Sequence, residues 1–183
     1  MSVRVISGTA KGRKLHVPRG VTVRPTPDRA KEALFNILGD RLVNSHFLDL
    51  YAGSGAIGIE ALSRGAAQVE FVEVHATIAK IIERNLMETG LSARARVVVA
   101  TTADAIQRLC GASKKFDIIF ADPPYTSKKA PDILQVIGAK ELLNEDGLVV
   151  WEHASGMVIP ASIGKLVCVK EVRYGDTAFA FLS

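Results

Sequence analysis

Cysteine is nearly missing from this 183-residue chain: there are two, Cys110 and Cys168. Thiols this far apart make neither a metal-ligand pattern nor a disulfide framework, so both are expected to be reduced and buried, in a cytoplasmic setting. Long apolar runs are missing too; none approaches the ~18 residues of a membrane span, so no membrane partner is expected. The first 14 residues are polar and basic, without the apolar stretch of a secretory signal. Four histidines, His16, His46, His75 and His153, are scattered without ligand spacing, which argues against a metal site. There is no internal repeat and no low-complexity segment. What is plentiful is apolar material: 48% of residues against 23% charged, enough for a packed core and too much for disorder. The length fits one domain with a small appendage, and a monomer is expected.

The net charge of +4 is unevenly spread. Residues 1–31 hold eight basic groups against one acid, Asp28, whereas the other 152 residues hold 15 basic and 18 acidic groups. A positive arm on a mildly acidic body is suited to a polyanion handled at one edge. Residues 2–7 and 13–17 alternate apolar with polar around Gly8, Ala10 and Gly12, the pattern of a small β-hairpin. Thr26-Pro27-Asp28 then reads as a helix start, with the helix running to about Leu42. Domain limits follow: residues 1–45 as a basic hairpin and helix, and 46–183 as the main domain.

From residue 46 the chain alternates strand-like runs (46–51, 69–74, 96–100, 116–121, 147–152) with helix-like ones (57–64, 76–89, 102–110, 130–139). Such β-α units predict an α/β fold, a parallel sheet covered on both faces. Residues 166–173 and 177–182 flank Tyr174-Gly175-Asp176 and close the sheet with a hairpin. The expected architecture is a Rossmann-like, seven-stranded, mostly parallel sheet with one antiparallel strand.

The segment from Asp49 to Gly58 (DLYAGSGAIG) sits between a strand and a helix, with glycines at 53, 55 and 58. Glycines there let the backbone turn sharply and approach a ligand at a helix N-terminus. Asp49 lies before the first glycine, where a carboxylate repels a pyrophosphate but suits a cation, such as the ammonium end of S-adenosylmethionine. Glu73 ends the next strand, within reach of a ribose hydroxyl pair. Asp104, after the third strand, is placed either to accept from an adenine amino group or to set a negative charge at the N-terminal end of the next helix.

Asp122-Pro123-Pro124-Tyr125 follows the fourth strand. Two prolines cannot continue a central strand, so they fix a rigid loop at the edge where open α/β sheets bind ligands. A nucleobase amino group is a poor nucleophile because its lone pair is conjugated into the ring. A carboxylate and a backbone carbonyl held in fixed directions grip its two N–H bonds and favour a pyramidal nitrogen. Tyr125 then stacks on the base. Neither cysteine ends a strand, so covalent attack on a pyrimidine ring lacks a nucleophile.

Together, the glycine loop, Glu73 and the Asp-Pro-Pro-Tyr tetrad resemble class I methyltransferases acting on amino nitrogens. More narrowly, Arg4-Val-Ile-Ser-Gly8, Arg24-Pro-Thr-Pro-Asp-Arg29, Ala33-Leu-Phe-Asn-Ile-Leu38 and Tyr174-Gly175-Asp176-Thr177 resemble the bacterial RsmD-type enzymes. Those methylate the N2 amino group of one guanine in 16S ribosomal RNA. The resemblance implies S-adenosylmethionine as cofactor and a small ribosomal subunit as the partner. Carried over by position, Asp49, Ala52, Gly53, Ser54, Gly55, Glu73 and Val74 hold the cofactor, and Asp104 and Ala105 meet its adenine. Asp122, Pro123, Pro124 and Tyr125 hold the guanine. Arg4, Lys11, Arg13, Lys14 and Arg29 are candidates to face the RNA, and Arg24 and Thr26 to contact either the RNA or the cofactor. At 100–104 this chain reads Ala-Thr-Thr-Ala-Asp where the family more often has a Gly-Asp pair.

Three rival functions can be weighed. A DNA amino-methyltransferase shares the tetrad, but no insert here is large enough for a DNA target-recognition domain. An NAD-dependent oxidoreductase shares the glycine loop, but has no use for Asp49 or the tetrad. A catalytically silent RNA-binding protein would not need Asp122 and Tyr125.

Overall fold

The structure, a computed structural model, describes residues 3–18, 27–123, 130–139 and 142–183. Pro124, Tyr125, Arg24 and Thr26 lie outside them. The described chain runs β1 (Val3–Arg4), β2 (Lys14–Leu15), α1 (Asp28–Leu38), a 3-10 turn (Gly39–Leu42), β3 (His46–Leu50), α2 (Ala56–Ser63), β4 (Gln68–Glu73), α3 (Ala76–Thr89), a short 3-10 turn (Ser92–Arg94), β5 (Ala95–Val99), α4 (Thr102–Gly111), β6 (Phe116–Ala121), α5 (Ala130–Ala139), β7 (Leu143–Ala154), β8 (Ser162–Ile163), β9 (Leu166–Tyr174) and β10 (Thr177–Leu182).

The main sheet has the order β5-β4-β3-β6-β7-β10-β9-β8. β3 to β7 pair in parallel, and β10 lies antiparallel between β7 and β9. The sheet has eight strands, not seven, because Ser162–Ile163 adds a two-residue edge beside Leu166 and Val167. Two residues carry too short an alternation to register in a sequence pattern. The central parallel strands β3 and β6 are largely apolar because helices cover both faces. Phe47, Phe71, Ile118 and Phe120 point to the α1 and α2 side, and Leu48, Leu50, Val72 and Ile119 to the α4 and α5 side.

The N-terminal hairpin is present, but its ladder is only two pairs long, Val3 with Leu15 and Arg4 with Lys14. Past Val5 four backbone donors turn to α2: Ile6 and Ser7 both donate to Glu60, Thr9 donates to the Ser63 carbonyl and Ala10 to the Ser63 hydroxyl, while Gly12 donates back to the Val5 carbonyl. Val3, Val5, Ala10 and Leu15 share the core of the α1 and α2 face. Helix α1 stops at Leu38, short of the expected Leu42. Gly39, at φ +50, breaks the α-helical path into the 3-10 turn. The two thiols are half-buried, not buried, and both are free.

Candidate active site

The sheet order reverses between β3 and β6: β4 and β5 lie to one side and β7 to the other. Chain leaving the C-terminal ends of β3 and β6 therefore parts in opposite directions and opens a crevice, the ligand position of open α/β sheets. Asp49 and the glycine loop come from β3, Asp122 and Pro123 from β6, and Glu73 from β4.

The glycine loop is built by close approach. Tyr51, Gly53 and Gly55 all have positive φ, at +64, +54 and +78. A tyrosine in the left-handed region is strained, and sequence reasoning did not single it out. A Cβ on Gly55 would sit 3.0 Å from an Ile82 methyl, and one on Gly58 would sit 2.3 Å from the Phe71 ring. Gly58 is thus the residue that lets α2 lie directly on β4, while Gly53 and Gly55 make the turn.

Three carboxylates converge here. Asp49 is 2% exposed and accepts from the Gly58 amide at 2.9 Å. Burial pushes its carboxyl up to about 7; the Gly58 bond opposes this, and the charges of Asp122 and Glu73 add to it. Burial likewise pushes the Asp122 carboxyl up to about 7. Glu73, 7% exposed, accepts from the Gly53 amide at 3.1 Å and the His75 amide at 2.8 Å. It fastens the glycine loop to the end of β4. A buried, mutually repelling carboxylate cluster is stabilised by a cation and repels a pyrophosphate, which counts against the dinucleotide reading of the loop.

Around this cluster Ala52 is buried, Ser54 is half-buried, and Val74 is 52% exposed just past Glu73. Asp104 and buried Ala105 form the first turn of α4, next to the end of β4 through the Ala100 amide bond to the Glu73 carbonyl. Thr101 caps α4, and Asp104 puts an acid in the helix's first turn. The Asp104 amide donates to the Thr101 hydroxyl at 3.1 Å, and that hydroxyl lies 2.8 Å from the Asp104 carboxylate.

The basic residues divide. Arg4, Lys11, Arg13, Lys14 and Arg29 are exposed, with Arg4 paired to Asp28 at 3.1 Å. Lys31, counted in the basic arm, is 2% exposed and is not on the surface. It donates to the Arg4 carbonyl at 2.6 Å and lies 3.3 Å from Glu60, itself fully buried and bonded to Arg64 at 2.7 Å. Glu60 was missed. Its signal was a lone acid in the otherwise apolar α2, AIGIEALS. Asn85, fully buried in the apolar stripe of α3 with Ile78 and Ile82, was missed for the same reason.

The family model described as conserved hypothetical protein 95 matches residues 3–183. The chain belongs to that family. It is 39% identical to YlbH of Bacillus subtilis over 97% of both chains. It is 35% identical to ribosomal RNA small subunit methyltransferase D of Escherichia coli over 97% of this chain and 87% of that one. Among solved structures, protein TTHA0928 of Thermus thermophilus superposes with a TM-score of 0.86 at 31% identity, covering 99% of each chain. The family drawn from the N-terminal blocks and the tetrad is the family found, and the chain is a methyltransferase.

Proposed function

We propose that this chain methylates the N2 amino group of one guanine in 16S ribosomal RNA, within a small-subunit particle. The observation that carries the reading is the carboxylate cluster at the β3–β6 crevice, combined with an exposed basic arm docked on the two helices beside it. The methyl donor is S-adenosylmethionine, which supplies an electrophilic methyl on a sulfonium; the residues present fit its positive charge. Asp49, Ala52, Gly53, Ser54 and Gly55 would hold its amino-acid end and Glu73 its ribose hydroxyls. Val74, Asp104 and Ala105 would flank its adenine.

On the substrate side, the Asp122 carboxylate and the Pro123 carbonyl accept the two N–H bonds of the guanine amino group. That frees its lone pair toward the cofactor side of the crevice, with Pro124 and Tyr125 completing the base pocket. A carboxyl near 7 is matched to taking the proton that the amine sheds on methylation. The exposed Arg4, Lys11, Arg13, Lys14 and Arg29 supply phosphate contacts, joined by Arg24 and Thr26.

The deciding experiment offers labelled S-adenosylmethionine with unmethylated small subunits, naked 16S RNA and duplex DNA, followed by nucleoside analysis. Label recovered as N2-methylguanosine from the particle is the expected result. Label on DNA as methyladenine, or on a different nucleoside of the RNA, overturns it.

A further inference from the structure

The elements that form the cofactor loop also hold the basic arm, and one side chain touches both. Asn85 of α3, with no exposed surface, uses its whole amide on backbone. Its Nδ2 donates to the Ser54 carbonyl in the glycine loop at 2.9 Å and to the His16 carbonyl at the end of the hairpin, also at 2.9 Å. Its Oδ1 accepts from the His16 amide at 2.8 Å. The hairpin has only two ladder pairs of its own, so its placement depends on such anchors. Asn85 also reaches the loop.

We propose that Asn85 is a positioning residue that sets the basic arm and the cofactor loop in register, so that ordering one orders the other. This rests on the reading that the loop takes S-adenosylmethionine and the arm takes RNA. The amide is specific for the task. Two carbonyls from different segments need two donors on one atom, and the His16 amide needs an acceptor beside it. An aspartate of the same size offers no donor and sets its charge against both carbonyls. The bridge is a contiguous physical link between two segments, the kind through which binding at one site changes order at another.

The test is amide hydrogen exchange of the full chain, with and without saturating S-adenosylmethionine. In the unmodified protein the cofactor is expected to slow exchange several-fold both in the loop (53–58) and at the hairpin end (15–17). In Asn85→Ala and Asn85→Asp the loop protection stays and the hairpin protection disappears. Steady-state assays should show KM for cofactor and for particle rising together, with kcat changed less. Hairpin protection that persists in both variants overturns the proposal. So does its absence in the unmodified protein while the loop is protected, an outcome that leaves the proposed function standing. If the cofactor fails to protect the loop itself, both fall.

Discussion

Replacing Asp49 by asparagine should stabilise the ligand-free protein while damaging cofactor binding. The Asp49 carboxyl is raised from 3.8 to about 7, so across that interval the folded chain holds a proton that the unfolded chain has released. Stability therefore falls as pH rises from about 4 to 7, and levels off above 7. A shift of about three units is worth ~4 kcal/mol per site at ~1.4 kcal/mol per unit. Asparagine still accepts from the Gly58 amide, carries no charge, and relieves the repulsion on Asp122. The expected gain at pH 8 is ~2–4 kcal/mol, or ~5–12 °C in Tm for a domain of this size. The gain should shrink toward pH 5, where the native carboxyl is already neutral. Binding of S-adenosylmethionine moves the opposite way. In the unmodified protein its affinity tightens from pH 6 to 8 as the carboxyls ionise, with proton release visible by calorimetry in two buffers of different ionisation enthalpy. In Asp49→Asn the affinity is weaker and its pH dependence smaller. A ligand-free melting profile that is flat from pH 5 to 8, or parallel profiles for the two proteins, would refute the reasoning.

Asp122→Ala should abolish methyl transfer and leave cofactor affinity within a few-fold, measured by calorimetry; equal loss of both would move Asp122 to the cofactor side. Gly8→Ala places a Cβ 1.8 Å from the Ser63 carbonyl oxygen at φ +81, so the hairpin must lift from α2. The expected cost is ~1–3 kcal/mol in denaturant unfolding, and a change under ~0.5 kcal/mol would mean that the hairpin is not held there. Reversing Lys11, Arg13 and Lys14 to glutamate should weaken particle binding and flatten its salt dependence by roughly one unit of log–log slope per lost phosphate contact. An unchanged slope removes the arm from the RNA interface.

The parts of the site that could be read from sequence are those whose role is local. Asp49, Glu73 and Asp122 each sit at or just past a strand end. The strand ends are legible because apolar runs stop there, and after Asp49 and Asp122 glycine or proline marks the loop that follows. Helix α3 is legible at 76–89 because its apolar stripe and the glycine after it announce both ends. Glu60 and Asn85 share a different property: each holds a partner remote in sequence. Glu60 meets Ile6 and Ser7 across 54 and 53 positions, and Asn85 meets His16 across 69. No window of 11 to 18 residues contains both halves of such a contact. Lys31 shows the cost of counting charge without them, since it is neutralised in the core by Glu60 and adds nothing to the basic surface. What such residues leave in sequence is a conflict of levels, a lone polar group inside an apolar stripe. Burying Glu60 or Asn85 unpaired would cost several kcal/mol, so each stripe position carries the prediction of a specific partner without naming it. Ile6, Ser7 and His16 all belong to the N-terminal hairpin, a segment whose own pattern is too weak to fix its place. The arm's location is thus encoded partly in the helices it rests on, and its charge in the arm itself.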